Sequence, residues 1–302
     1  MTYSGEYSMQ NFAQKVAVIT GAGSGMGRYL AILIAKAGGD VVICDVNEDS
    51  LAETKALLHC YNVAVSSHIL DVADKDAIKA LPEKVIAHHG KVDLVFNNAG
   101  ITFDSSFENL AEEQWDSVMD VNLHGVVNMT RAFMPYLKER PEAAIVNTSS
   151  IFGMVAVPKQ SVYHATKFAV RGFTESLAKE LKGSSVQVHC VHPGHIGTNI
   201  LSTAKFNEDD EKGPGTALGM AGNTREEMGD AFKKHGMHPS RAANIILQGV
   251  KKKKTRIFVG LDAKLIDLSQ RLMPTHYEKI WPLFMLPLFL FRNKKAIKAR
   301  NS

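Results

Sequence analysis

Residues 16–27 read VAVITGAGSGMG, and this stretch decides the fold. Its β-branched, apolar start predicts a buried strand, and the glycines behind it predict a tight turn that opens a helix. In such a strand–loop–helix unit, backbone N–H groups and the helix N-terminus can approach a pyrophosphate. The spacing is Gly-x-x-x-Gly-x-Gly rather than the commonest dinucleotide fingerprint, and a plain structural turn explains many similar loops. The flanking pattern favours a dinucleotide site formed by Gly21, Ser24, Gly25, Met26 and Gly27.

The alternation of strand and helix continues along the chain. Apolar runs predict strands at 16–19, 41–44, 92–96, 144–146, 186–191 and 256–259, with a further strand before Asp71. Helical patterns lie between them, at about 25–38, 48–60, 74–89, 112–138, 160–182 and 239–250. Near-continuous apolar strands separated by helices indicate a parallel sheet covered on both faces. The predicted fold class is therefore α/β, a doubly wound sheet in a single domain.

The chain has segments that depart from this alternation. We assign residues 1–14 to an N-terminal tail, 15–262 to the domain and 263–302 to a C-terminal extension. Within the domain, residues 200–238 are irregular and rich in glycine. Long loops in compact domains are usually functional or disordered, and we expect this one to shape the substrate site.

Charge and cysteine usage narrow the function classes. The net charge is +4, and the last eleven residues hold five cations and no acid: Arg292, Lys294, Lys295, Lys298 and Arg300. The rest of the chain carries a net −1, which argues against nucleic-acid binding. The three cysteines are far apart in the sequence, which favours reduced thiols over disulfides. The twelve histidines do not have the spacing of a zinc site. The first fourteen residues contain no secretory signal. We expect no metal and a cytoplasmic location.

Polar residues after three further strands extend the cofactor site. Asp45 ends the second strand, where a carboxylate can bind an adenosine ribose and repel a 2′-phosphate, so NAD is favoured over NADP. Asp71 and Val72 follow the third strand, where Asp71 either meets the adenine edge or caps a helix. The motif Asn97-Asn98-Ala99-Gly100 follows the fourth strand, where open sheets bind ligands, although Asn and Gly also suit a simple turn.

Tyr163 and Lys167 are four residues apart, thirteen residues after Ser150. This spacing places both side chains on one face of a helix. A lysine ammonium beside a phenol favours the phenolate and would lower the pKa of Tyr163 toward the working range. A tyrosine of this kind can exchange a proton with a carbonyl or alcohol oxygen.

Taken together, these motifs resemble the short-chain dehydrogenase/reductase family. The resemblance covers about residues 14–200 and rests on the motifs above with Asn122 and the Pro193-Gly194 to Thr198 stretch, in the order typical of the family. It implies a Rossmann-type sheet of seven strands in the order 3-2-1-4-5-6-7. It also implies a homodimer or homotetramer formed through the helices at 112–138 and 160–182.

The resemblance assigns roles to individual residues. Tyr163 would be the general acid/base, with Lys167 lowering its pKa and binding the nicotinamide ribose. Ser150, preferred to Ser149 by its spacing, would hold the substrate oxygen, and Asn122 would anchor a water that connects Lys167 to solvent. Tyr163 is expected to contact the cofactor as well, and the remaining expected cofactor contacts are Asn98, Ala99, Gly100, Pro193, Gly194, Ile196 and Thr198.

The C-terminal extension contains an apolar segment, 280–291, followed by the basic tail. Twelve residues with two prolines are too few to cross a bilayer as a helix. Apolar aromatics followed by cations suit a segment that lies on anionic lipid, and packing against the pocket or another subunit is the alternative. Contact of 280–302 with the cytoplasmic membrane face would suit a lipophilic substrate.

The expected function is an NAD-dependent oxidoreductase that interconverts a small-molecule alcohol and a ketone or aldehyde. Two alternatives stay open: an enzyme of the same fold that acts on an acyl thioester or sugar nucleotide, and a non-catalytic NAD-binding protein at a membrane. The complete set of Asn122, Ser150, Tyr163 and Lys167 argues against the non-catalytic alternative, because a binding protein does not need all four.

Overall fold

A computed structural model describes residues 11–198, 205–206 and 234–279 of the chain. Most of the expected N-terminal tail, most of the 200–238 loop and the whole 280–302 segment lie outside the described residues. The expectations for those three segments therefore stay predictions.

The core of the molecule is a seven-stranded sheet in which every neighbouring pair is parallel. The strands of the chain are β1 (Val16–Thr20), β2 (Asp40–Asp45), β3 (Val65–Ile69), β4 (Leu94–Asn97), β5 (Phe103–Asp104), β6 (Ala143–Thr148), β7 (Val186–Pro193), β8 (Lys205–Phe206) and β9 (Arg256–Val259). The sheet order is β3-β2-β1-β4-β6-β7-β9, and β5 and β8 pair separately. The predicted fold class and strand order are confirmed.

Helices cover both faces of the sheet. They are α1 (Gly25–Lys36), α2 (Glu48–Leu58), α3 (Lys75–His89), α4 (Glu112–Met119), α5 (Gly125–Lys138), α6 (Ser161–Glu180), α7 (Pro239–Lys251) and α8 (Leu261–Leu272). The stretch predicted as one helix at 112–138 is divided, because a π-helical turn, Asp120–His124, separates α4 from α5. A short 3₁₀ turn, Ile151–Gly153, follows β6.

Alternate residues of β1 supply two separate hydrophobic cores. Ala17 and Ile19 pack on the face covered by α1, α2 and α7, whereas Val16 and Val18 pack on the face covered by α3, α5 and α6. All five residues of β1 are buried, as expected for a central parallel strand that is covered on both sides. The chain order reverses between β1 and β4, and their carboxyl ends therefore mark the crevice where such sheets bind ligands.

Helix α8, most of which lies in the predicted C-terminal extension, was not foreseen. Its inner face packs Ala263 and Ile266 against Ile151, Met154 and Val155, the residues that follow Ser150. Helix α8, and Tyr277 after it, thus pack against the residues that follow the predicted catalytic Ser150.

Candidate active site

The glycine-rich loop packs against the end of β4 and is hydrogen-bonded to it. Gly21 has a left-handed backbone (φ 64°), and a Cβ atom there would lie 2.9 Å from the Cα atom of Ala99. The hydroxyl of Thr20 accepts hydrogen bonds from the backbone N–H groups of Asn98 (3.0 Å) and Ala99 (3.1 Å). The side-chain amide of Asn98 donates to the Thr20 carbonyl at 3.1 Å. Two motifs that are far apart in the sequence therefore form one surface.

The N-terminus of α1, which carries Met26 and Gly27 in its first turn, is suited to an anion. Its N-cap residue, Ser24, makes no side-chain capping hydrogen bond, and the first turn contains no acid. Helix α2 differs, because Asn47 caps it and two acids occupy its first turn. Gly27 lies so close to Gly21 and Asn98 that no larger residue fits there. This cradle fits the pyrophosphate of a dinucleotide, whose charge would complement the N–H groups and the dipole of α1.

Asp45 lies against the same loop. One of its carboxylate oxygens accepts a hydrogen bond from the N–H group of Gly23 at 2.8 Å, and the other accepts from Asn47 at 3.0 Å. A Cβ atom on Gly23 would lie 2.9 Å from the Asp45 carboxyl carbon. The carboxylate therefore stands beside the phosphate cradle, at the place expected for a ribose contact.

Asp71 and Val72 have different surroundings. The Asp71 carboxylate is exposed and accepts from the N–H group of Ala73 at 2.8 Å. Because Asp74 caps α3, the helix-cap alternative for Asp71 is wrong. Val72 is buried, and a Cβ atom on Gly125 would lie 2.9 Å from its carbonyl oxygen.

The π-helical turn places Asn122 beside the loop that follows β4. Its side-chain amide is buried, accepts from the N–H group of Ile101 at 2.9 Å and donates to the Ile101 carbonyl at 2.9 Å. It also donates to the Thr166 hydroxyl at 3.3 Å. A Cβ atom on Gly100 would lie 3.2 Å from the Asn122 amide oxygen and 3.4 Å from the Lys167 ammonium nitrogen. Asn122 and Lys167 therefore both border Gly100.

The two neighbouring serines after β6 have different partners. The Ser149 hydroxyl donates to the Lys167 carbonyl at 2.8 Å, an internal bond within the fold. The Ser150 hydroxyl oxygen accepts from the N–H group of Phe152 at 3.1 Å, and the hydroxyl is hydrogen-bonded to Tyr163. The prediction that prefers Ser150 to Ser149 is therefore supported by the contact with Tyr163.

The electrostatics of Tyr163 differ from expectation. Burial raises the pKa of Tyr163 to about 12, and the hydrogen bond with Ser150 opposes this shift. Lys167, whose ammonium nitrogen lies 5.5 Å from the centroid of the Tyr163 ring, donates to the Thr148 carbonyl at 3.1 Å. Burial lowers the pKa of Lys167 to about 8. The expected lowering of the Tyr163 pKa by Lys167 does not appear in this structure, because desolvation of the phenolate is the larger effect.

The loop after β7 closes the other side of the site. Gly194, after Pro193, donates from its N–H group to the Val259 carbonyl at 2.9 Å, and Ile196 is buried and pairs with Met237. Thr198 lies near the glycine-rich loop, since a Cβ atom on Gly25 would be 3.2 Å from its methyl carbon.

Asp262 on α8 lies beside the candidate site and was not predicted from the sequence. Its carboxylate accepts from the N–H group of His195 at 2.6 Å and therefore helps to hold the loop after Gly194. No signal in the sequence pointed to this residue, because the contact joins two segments that are distant in the chain.

Other features of the described residues bear on metal binding, on further cavities and on membrane spans. No group of three His, Cys, Asp or Glu side chains there is arranged to hold a metal ion. A cavity of about 540 Å³ lies at the edge of β3, between α2 and α3, and none of its lining residues belongs to the predicted site. In the same part of the chain, no helix is long and apolar enough to cross a membrane.

Comparison with known proteins agrees with this geometry. A family model described as short chain dehydrogenase matches residues 15–209. The Mycobacterium tuberculosis protein SadH, named as an oxidoreductase, is 40% identical over 275 residues, which cover 90% of this chain and 95% of SadH. A 3-oxoacyl-[acyl-carrier-protein] reductase of Thermotoga maritima is 40% identical over 184 residues, or 61% of this chain and 75% of that protein. A short-chain dehydrogenase/reductase from Burkholderia phymatum in complex with NAD superimposes with a TM-score of 0.77 at 29% identity, covering 87% of this chain and 95% of that chain.

Proposed function

Because the chain belongs to the short-chain dehydrogenase family, we propose that it is an NAD-dependent oxidoreductase that interconverts an alcohol and a ketone or aldehyde. The observation that carries the proposal is the contact between Ser150 and Tyr163 beside Lys167, at the crevice formed by the glycine-rich loop. When bound, the nicotinamide ring supplies or accepts the hydride. The protein's part is to bind, orient and exchange one proton.

The cofactor would bind along the surface formed by the glycine-rich loop and the end of β4. The N-terminus of α1 would receive the pyrophosphate and Asp45 the adenosine ribose, next to Asp71 and Val72. Asn98, whose buried side-chain oxygen has no hydrogen-bond partner among the described residues, has capacity for a further hydrogen bond there. On the nicotinamide side, we assign the Pro193–Thr198 loop and Lys167.

The proton would come from Tyr163. During reduction, the Tyr163 hydroxyl would give its proton to the carbonyl oxygen as the carbonyl carbon receives the hydride, so that one hydride and one proton would yield the alcohol. A phenol with a pKa of about 12 is protonated at neutral pH and is therefore ready to act as the acid in this direction. Ser150 would donate to the oxygen on which negative charge develops, and Lys167 would stabilise the phenolate that forms.

The test is turnover of NADH or NADPH with a panel of ketones, aldehydes and 3-oxoacyl thioesters. We expect oxidation of NADH with lipophilic ketones or aldehydes. The similarity to a 3-oxoacyl-carrier-protein reductase keeps an acyl thioester as the second candidate, and preference for thioesters would support it. NADH binding without turnover of any substrate, in either direction, would favour a non-catalytic role.

The choice between NAD and NADP can be tested at Asp45. Asp45→Asn keeps the shape and an acceptor for Gly23 but removes the charge that would repel a 2′-phosphate. We expect the ratio of kcat/KM for NADPH to that for NADH to rise about tenfold or more, because a hydrogen bond to a charged group contributes about 1.5–3 kcal/mol. Asp49→Asn, an exposed acid in the first turn of α2, is the control and should leave the ratio unchanged. The same ratio in Asp45→Asn as in the wild type would contradict this role.

We also propose that the C-terminal region contacts a membrane surface. Helix α8 turns a row of leucines outward, with Leu261 59%, Leu268 45% and Leu272 66% exposed. This row precedes the apolar segment 280–291 and the basic tail, a composition that suits anionic lipid. Covering of the same leucines by another subunit is the alternative, and we expect the oligomer itself to be a dimer or tetramer.

Flotation with liposomes tests this placement. The full chain is expected to float with phosphatidylserine-containing vesicles and to remain behind with neutral ones, because the basic tail requires anionic lipid. Deletion of residues 280–302 should abolish flotation. Light scattering on the same samples separates the alternatives, since a deletion that only lowers the oligomeric state would indicate a subunit contact. Unchanged flotation after deletion would contradict the proposal.

A further inference from the structure

The segment from Ser150 to Val157 is held by side chains from three other parts of the chain. His192 on β7 contacts the Ser150 carbonyl through Nδ1 at 3.2 Å, and Arg171 on α6 donates to the Gly153 carbonyl at 3.2 Å. The Tyr277 hydroxyl, after α8, accepts from the N–H group of Ala156 at 2.9 Å. These contacts determine the course of the backbone that leads away from Ser150.

His164 contacts this segment through both of its ring nitrogens. Its Nδ1 atom lies 2.9 Å from the Phe152 carbonyl oxygen, and its Nε2 atom accepts from the N–H group of Val157 at 2.9 Å. A carbonyl requires a donor and an N–H group requires an acceptor, so the imidazole must be neutral with its proton on Nδ1. The ring is buried, and no water is needed to explain its contacts.

Phe152 connects His164 to Ser150. The carbonyl of Phe152 is fixed by His164, and the N–H group of Phe152 donates to the Ser150 hydroxyl oxygen at 3.1 Å. Since that oxygen accepts from Phe152, its own proton is free to point to the side of Tyr163, where the substrate oxygen would bind. The Phe152 ring also packs edge-on near the Tyr163 ring, with 6.3 Å between centroids, and lies tilted against the His164 ring at 4.9 Å.

We propose that His164 is a positioning residue that, through Phe152, keeps the Ser150 hydroxyl directed at Tyr163. The inference rests on the proposed function of Ser150 and Tyr163. His164 itself does not touch the reacting atoms. Its two hydrogen bonds set the orientation of a neighbouring hydroxyl, and loss of that orientation slows the chemical step more than it weakens cofactor binding.

The inference includes an acid limit to activity. Burial lowers the pKa of His164, and its backbone hydrogen bonds oppose this shift. Protonated imidazole cannot accept from Val157, so the arrangement persists above the lowered pKa and is lost as the pH falls through it, below 6.5. The charged or titratable groups on the elements packed against this segment include Tyr163, Lys167, Arg171 and Glu175 on α6, Asp262, Lys264, Asp267 and Arg271 on α8, and Tyr277 after α8. They also include His192 on β7, whose pKa burial lowers to about 4. Lys167, with a pKa of about 8, titrates on the alkaline side.

The experiment compares His164→Gln and His164→Leu with the wild type. The glutamine side chain can accept from Val157 and does not titrate, whereas leucine makes neither hydrogen bond. We expect His164→Leu to lower kcat by about 10- to 100-fold, since small misplacements of catalytic groups have effects of this size. The KM for NADH should stay within about twofold, because the cofactor loop is not touched. His164→Gln should recover most of the lost kcat and should lose the acid limit seen in the wild type.

The outcomes separate the two proposals. His59→Gln, an exposed histidine at the end of α2, is the control and should match the wild type in kcat and pH profile. An unchanged acid limit in His164→Gln, or an unchanged kcat in His164→Leu, would overturn the positioning role while the oxidoreductase function stands. If His164→Leu does not fold, the pH profile of His164→Gln alone tests the positioning role of His164. A wild type without any turnover would overturn the proposed function and this inference with it.

Discussion

Tyr163→Phe is expected to lower kcat by about 10²- to 10⁴-fold, the usual contribution of a positioned acid or base. The phenylalanine ring keeps the packing of a buried side chain, so the fold and the neighbouring Lys167 should be undisturbed. Only the hydroxyl that exchanges the proton is removed. NADH binding, measured by its fluorescence, should stay within about twofold of the wild type, because the expected cofactor contacts extend over several loops.

The neighbouring serines provide a matched pair for this measurement. Ser150→Ala should lower kcat in the same direction as Tyr163→Phe, because it removes the hydroxyl that contacts Tyr163. Ser149→Ala removes a hydrogen bond to the Lys167 carbonyl and should cost only about 1 kcal/mol of stability, with a much smaller change in kcat. Turnover by Tyr163→Phe at the wild-type rate would refute the proton-transfer role.

The sequence was sufficient to predict the sheet and most of the candidate site. Both depend on short motifs whose local chemistry is readable, such as the apolar strand before Gly21 and the helical spacing of Tyr163 and Lys167. Because the carboxyl ends of parallel strands meet at one edge, predicting the strand order also brought Asp45, Asn98 and Pro193 to the same crevice.

Features that depend on distant contacts or burial could not be predicted. The edge strand β3 has the sequence VSSHI, is only partly buried, and shows no apolar run that would mark its bounds. Helix α8 packs through a few small or branched residues such as Ala263, and its exposed leucines hide that periodicity. The pKa of Tyr163 was expected to fall because spacing shows the nearby cation but not the loss of water around the phenol. The direction of the pKa shift depends on whether the nearby cation or the loss of water has the larger effect.

Asp93 illustrates the same limit, since the sequence shows it only as a polar residue within an apolar run. In the structure it is buried at the start of β4, at the opposite end of the sheet from Tyr163. One carboxylate oxygen accepts from the N–H group of Val16 at 2.9 Å, and the other accepts from Arg140 at 2.9 Å. The ammonium nitrogen of Lys91 lies 3.9 Å from the same carboxylate. A single side chain thus joins the start of the central strand β1 to the chain after α5.

Asp93→Ala is therefore expected to lower the free energy of unfolding by about 3 kcal/mol or more, because it leaves a buried N–H group and a partly buried guanidinium without their acceptor. For a chain of this size the melting temperature should fall by about 6–12 °C. Asp93→Asn keeps one oxygen that can accept from Val16. Its melting temperature should therefore lie between those of the wild type and Asp93→Ala. Arg271→Gln is the matched control, because its pair with Asp267 is at the surface and such pairs contribute about 0–1 kcal/mol. A melting temperature of Asp93→Ala no lower than that of Arg271→Gln would show that the carboxylate does not hold these elements together. A loss confined to stability, with kcat at permissive temperature unchanged, would locate the effect of Asp93 in the fold and separate it from the chemistry at Tyr163.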